Sequence, residues 1–276
     1  MLRSLDDLKQ YAIHATDGDV GRVSDFYFDD VAWAIRYLVI DTGSWLMGRK
    51  VLITPITVGK PNWPNKTLPV GITREQVKNS PDISTEKPVS RQHESEFLSY
   101  YGYPDYWGGA GLWGQGIYPG MMMPQLSNDH LLTTSPEVDG NTMPIRPGQK
   151  HQQDDVHLRS CREVTGYHIH ASDGDLGHVS GMLVDEHTWA IRYLIVDTSN
   201  WWLGHRVLIA PLWIDQVLWP EQKVTVNLTR SQIQEAMTYD DTVKLNRNQE
   251  AELHEHYGRV AYWENEPHDA EFDAYD

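Results

Sequence analysis

Hydrophobic residues fall in short runs, and through most of them the period is two. Trp33, Ile35, Tyr37 and Val39 alternate with Ala34, Arg36, Leu38 and Ile40, so both faces of the segment are largely apolar. A run of that kind predicts a strand covered on both sides. Asp17-Gly18 lies between residues 11–15 and 20–28, the turn chemistry of a tight hairpin, and further strands are expected over 50–53 and 67–72. The pattern then turns helical. Thr73 with Gln76, and Thr229 with Gln232, have capping-box spacing; second helices are expected from Ser90 and Asn246, closed by Gly102 and Gly258. Roughly five or six short strands in about eighty residues predict a small antiparallel barrel followed by two short helices.

The pattern is written twice. Residue n meets residue n + 156 without a gap, from Leu2-Arg3-Ser4 against Leu158-Arg159-Ser160 to Tyr106-Trp107 against Tyr262-Trp263. Roughly 40 of about 106 aligned positions are identical, which marks an internal duplication. The expected layout is a first barrel with its helices over 1–107, a flexible Gly/Pro/Met linker over 108–157, a second barrel with its helices over 158–263, and an acidic tail over 264–276.

Composition narrows the function. Lys and Arg number 23 against 39 Asp and Glu, a formal charge of -16, so the protein's own field opposes a phosphate backbone and no nucleic acid partner is expected. Neither a signal-peptide run nor eighteen consecutive uncharged apolar residues occurs, from which a soluble, cytoplasmic protein is expected. The single cysteine, Cys161, excludes an internal disulfide framework. Eleven Trp and 14 Tyr beside 4 Phe give many apolar side chains a polar handle, which suits contact surfaces.

The opening Leu-Arg-Ser, the His-Ala-Thr/Ser-Asp-Gly-Asp-x-Gly hairpin, the Trp-Ala-Ile-Arg-Tyr-Leu-x-x-Asp-Thr strand, the Val-Leu-Ile-x-Pro strand and the closing Tyr-Gly-x-x-x-Tyr-Trp together resemble the PRC-barrel family. That family is named for the photosynthetic reaction centre H subunit, and the same barrel forms the C-terminal part of the ribosome maturation factor RimM. The resemblance covers both copies. It implies a mainly β fold with short helices, as two PRC-type antiparallel β-barrels, and a non-catalytic module that docks onto a larger assembly.

Asp17-Gly18 and Asp173-Gly174 do not continue as a calcium loop, because Gly21, Arg22 and Phe28 stand at the fifth, sixth and twelfth positions, so they are read as structural turns. His14, His168 and His170 are read as strand histidines, and neither a metal nor a cofactor is expected. Asp19, Asp29, Asp41 and their repeats Asp175, Asp185, Asp197 fall at strand ends, where aspartate is common; no catalytic residue is assigned and no enzyme is expected. Arg36 and Arg192 lie mid-strand in apolar runs. Each calls for a carboxylate partner, Asp29 or Asp41 for the first and Asp185 or Asp197 for the second.

Trp45-Leu46-Met47-Gly48-Arg49-Lys50 and its repeat Trp201-Trp202-Leu203-Gly204-His205-Arg206 set large apolar groups beside basic ones between strands. These tips are the expected partner-binding sites, with folding back onto the barrel's own helices as the alternative. The expected partner is another protein or the chain itself, as a homo-oligomer or by intramolecular pairing of the barrels. A peripheral component of a membrane-bound photosynthetic or electron-transport complex is the first alternative. A small-ligand or metal sensor, or an enzyme of unknown class, is the second.

Overall fold

A computed structural model describes residues 1–81, 89–123, 157–198 and 205–264. The first copy runs β1 (Leu2–Ser4), α1 (Leu5–Leu8), β2 (Ala12–Ala15), β3 (Gly18–Asp29), β4 (Ala34–Asp41), β5 (Lys50–Ile53), β6 (Thr67–Pro69), α2 (Arg74–Asn79) and α3 (Arg91–Tyr101). The second repeats it as β7 (Leu158–Ser160), α4 (Cys161–Val164), β8 (His168–Ala171), β9 (Gly174–Asp185), β10 (Ile191–Asp197) and β11 (Arg206–Ile209). It continues with β12 (Ile214–Leu218), β13 (Lys223–Val226), α5 (Arg230–Gln234) and α6 (Arg247–His256). The chain is mainly β with short helices.

Local chemistry fixes the elements where the sequence placed them. Thr73 and Thr229 form capping boxes with Gln76 and Gln232, and Asn246 forms a third with Gln249. Each satisfies backbone N–H groups that a helix start leaves open. Gly102 ends α3 in the left-handed conformation, at φ 73°. The β2–β3 turn is closed by Ala15 pairing with Gly18, and Asp17 Oδ1 leaves the turn to accept the Arg74 N–H at 2.7 Å. Asp173 does the same for Arg230 at 2.9 Å. One aspartate thus both shapes a hairpin and adds an acceptor at the start of a helix.

The sheets differ from the expected antiparallel barrels. In the first, the order is β5-β4-β3-β2-β6, and in the second β11-β10-β9-β8-β13-β12. The β2–β6 and β8–β13 pairs are parallel, so both sheets are mixed. The reason lies after β5: Pro55, Ile56 and Thr57 form a buried 3-10 turn capped by Thr54, and the chain crosses over before β6 joins β2. Among the described residues the two ends of each strand path do not pair, so no closed barrel is formed.

The two copies exchange their first strands. β1 pairs with β9, Leu2 opposite Asp185, while β7 pairs with β3, Leu158 opposite Asp29. Arg3 then bridges to Glu186 at 2.6 Å and stacks on Trp63, and Arg159 bridges to Asp30 at 2.9 Å and stacks on Trp219. The exchange is reciprocal, as a two-fold axis requires. At that axis Ile35 N–H donates to the Trp189 carbonyl and Ile191 N–H to the Trp33 carbonyl, at 2.8 and 2.7 Å. Trp33 and Trp189 both hold left-handed backbone, at φ 50° and 59°. Such conformations cost of order 1 kcal/mol or more in bulky residues and persist where the surroundings impose them.

The stretch read as linker is structured at both ends. Residues 108–123 return to the first copy: Gly111 and Gly114 pair, Trp113 is 1% exposed, and its Nε1 donates to the Thr188 carbonyl of the second copy at 2.8 Å. Glycine here permits the close approach, since a Cβ on Gly109 or Gly111 would lie within 2.3 Å of a facing carbonyl oxygen. At the other end His157 is buried. The acidic tail lies outside the described residues beyond Glu264.

Candidate functional site

The first hairpin tip is held from below. Gly48 N–H donates to the Gly43 carbonyl, Thr42 Oγ1 to the Arg49 carbonyl, and Asp41 Oδ1 accepts the Gly43 N–H. Arg49 reaches down to the end of α2, donating to the Lys78 and Ser80 carbonyls at 3.0 and 2.9 Å. Trp45 is half-buried beneath the Arg74 guanidinium, 4.4 Å from its ring centroid. Leu46 is half-buried, and so is Lys50, which pairs with Asp41 across the ladder. That leaves Met47, 99% exposed at the apex with φ 55°. Of the five residues of this tip expected to meet a partner, Trp45 and Arg49 are used to fold the tip onto α2 and Met47 projects freely. In the second tip Trp201, Trp202 and Leu203 lie outside the described residues; His205 accepts from Thr198 through its carbonyl, and Arg206 bridges to Asp241 at 2.7 Å.

A polar cluster beneath each sheet was not foreseen. In the first copy α3 carries Glu94 inward, 0% exposed, between the hydroxyls of Tyr37 and Tyr106, both of which donate to its Oε2. His157 Nε2 meets the other oxygen at 2.5 Å. Arg91 lies 3.6 Å from Glu94 and 3.7 Å from Asp29, stacked over Trp107. Arg36 lies 3.7 Å from Asp29, donates to the Leu112 carbonyl at 2.8 Å, and rests on the rings of Tyr106 and Trp113. Asp29 is thus the partner of Arg36, with Asp41 engaged at the tip. Burial lowers the Arg36 pKa, and burial with the Glu94 charge nearby pushes the Tyr37 and Tyr106 phenols well up.

The second copy keeps most of this cluster. Glu250 accepts from Tyr193 at 3.2 Å and Tyr262 at 2.9 Å, and Arg247 lies 3.3 Å from it, stacked over Trp263. Arg192 lies 3.9 Å from Asp185 and 3.9 Å over Tyr262. Here burial raises the Glu250 carboxyl above the usual range, against the opposing Arg247 charge. The closing Tyr-Trp pair of each repeat therefore has a job: its two rings, in edge contact with each other, both receive the arginine of the last helix. The signal was present in the sequence, because Tyr37, Arg91, Glu94 and Tyr106 all recur at n + 156.

The remaining residues serve the framework. His14 pairs with Asp19 at 2.7 Å and His170 with Asp175 at 2.6 Å, across the hairpins that hold them. Gly18 and Gly174 sit at φ 139° and 147° beneath the Arg74 and Arg230 side chains. Asp197 pairs with Arg206 in the ladder. Among the described residues no three metal-binding side chains converge, and no helix is long and apolar enough to cross a membrane. No protein-family model matches the chain, and no curated protein matches it by sequence.

Proposed function

We propose that the chain is a non-catalytic scaffold or adaptor, built of two PRC-type units in one pseudo-two-fold body, that docks on a protein partner through its hairpin tips. The observation that carries this reading is Met47, an apolar side chain 99% exposed on a base fixed by Arg49, Trp45 and Asp41. With the backbone of the tip already fixed, the ordering cost of binding falls on the Met47 side chain alone, and a thioether adapts readily to an apolar partner surface. The repeated order of hairpin, long strand, tip and helix pair supports assigning both copies to the PRC type. The burial of Arg36, Glu94, Arg192 and Glu250 in ion pairs and phenol contacts fits a structural use of these groups.

The test is a photo-cross-linker placed at position 47 in native cells, beside one at Asn65, an exposed turn residue of the same copy. A defined product at 47, missing at 65 and lost when a cross-linker at Leu46 is combined with Met47→Asp, supports docking through the tip. Equal products from 47 and 65, or none above background, overturn it.

A further inference from the structure

Two of the positions at which the repeats differ lie at the buried glutamate cluster. His254 stands in the place of Leu98, its Nε2 2.9 Å from the Tyr193 hydroxyl and not against Glu250. Against Glu94 the first copy seats the imidazole of His157; the residue 156 positions earlier, against Glu250, is Met1. Beside Glu250 there is an open cleft of about 250 Å³, with Asp185, Lys244, Asn246, Arg247, Glu250 and Tyr262 as its polar lining and Met1, Leu2 and Leu245 as its apolar lining. Four of the polar residues, Asp185, Arg247, Glu250 and Tyr262, recur in the first copy as Asp29, Arg91, Glu94 and Tyr106, a connected group in which Glu94 carries His157. Glu250 is 3% exposed, and its two phenol donors both bond one oxygen, Oε2, leaving Arg247 at 3.3 Å as the neighbour of Oε1. In the first copy it is Oε1 that takes the imidazole.

We propose that this cleft is a binding site for a small imidazole-bearing molecule, whose ring N–H donates to Glu250 Oε1 as His157 does to Glu94. A single five-membered ring with a short substituent fits, since the volume lies just below that of pockets for drug-sized ligands. The phenol of Tyr262 and the guanidinium of Arg247 line the ring's place, and the apolar side chains of Met1 and Leu245 cover its carbon edge. A buried carboxylate is a strong acceptor because little water competes for it. The inference stands independently of docking through Met47.

The first copy supplies the internal control. His157→Gly removes the ring from the Glu94 site, and added imidazole is expected to restore part of the lost thermal stability, as chemical rescue of a vacated site. In the intact chain, titration with 4-methylimidazole and with histamine, followed by NMR, is expected to shift the signals around Tyr262 and Leu245 saturably. Glu250→Gln is expected to weaken binding about tenfold or more, since a charged acceptor is lost. Leu245→Trp, which fills the cleft and leaves Glu250 in place, is expected to abolish it. No saturable shift with either compound, or binding unchanged in both the Glu250→Gln and Leu245→Trp variants, overturns the proposal.

Discussion

Replacing Trp113 by alanine tests whether residues 108–123 belong to the folded body. The side chain is 1% exposed, lies against Tyr106 with centroids 6.1 Å apart, carries the Arg36 guanidinium 4.6 Å from its own centroid, and donates to Thr188 across the pseudo-two-fold axis. Truncating a buried aromatic of this size costs about 3–5 kcal/mol. Loss of the indole hydrogen bond, which adds about 1 kcal/mol, puts the expectation in the upper part of that range. For a chain of this length the change corresponds to a fall of roughly 10 °C in Tm. Urea unfolding followed by circular dichroism reads it directly, and Trp113→Phe, which keeps most of the burial, separates packing from the hydrogen bond at about 1–2 kcal/mol. Hydrogen exchange adds a local readout: the amides of Trp113 and Gly114, bonded to the Gly116 and Tyr106 carbonyls, lose protection in the alanine variant. A destabilisation under about 1 kcal/mol with those amides already unprotected in the parent chain would refute the packing argument.

Three further outcomes are expected. Asp25→Ala removes a carboxylate, 2% exposed, that accepts from the Ser160 hydroxyl and the Arg162 N–H of the other copy; a loss of about 3 kcal/mol by urea unfolding is expected, and a loss below 1 would contradict its role in joining the copies. Asp17→Ala removes the extra acceptor at the start of α2 and is expected to cost about 1 kcal/mol, with a comparable cost for Asp173→Ala at α5; a neutral result in both would show that Thr73 and Thr229 suffice alone. Glu250 has its pKa raised by burial, so its contribution is fully present below the unfolded value of 4.5 and is lost as pH rises through the folded value. The stability of the parent chain relative to Glu250→Gln is therefore expected to fall from acid toward neutral pH, and an increase would reverse the sign of the argument.

What the residues disclosed and what they withheld divide along the distance over which a signal acts. The capping boxes at Thr73 and Thr229, the left-handed stop at Gly102 and the Ala15–Gly18 hairpin are decided by neighbours in sequence, and all were readable. The pairing of β1 with β9 was not. Leu-Arg-Ser is the same in both copies, and no local pattern says which sheet a three-residue strand will join. Trp113 was hidden by the glycines around it, which suggest a linker until their close contacts are seen. Glu94 could have been found, since Phe97 and Leu98, three and four residues on, place it on the buried face of α3. The parallel pairing of β6 depends on the crossover after Pro55, for which alternation carries no sign.

The exchanged first strands also bear on how the chain finds its structure. Leu2 meets Asp185, a contact between residues 183 positions apart, so it closes only after the second copy has been made. Synthesis runs from the N-terminus, and the first copy emerges with the β3 edge at residues 27–29 unpaired. The strand destined for that edge is Leu158–Ser160, and the chain already carries an identical triplet at Leu2–Ser4. A nascent first copy thus holds a competitor for its own open edge, and the finished topology requires that triplet to be free when the second sheet forms. Duplication gave this protein a matched pair of strands and, with it, a choice of partner that the order of synthesis must resolve.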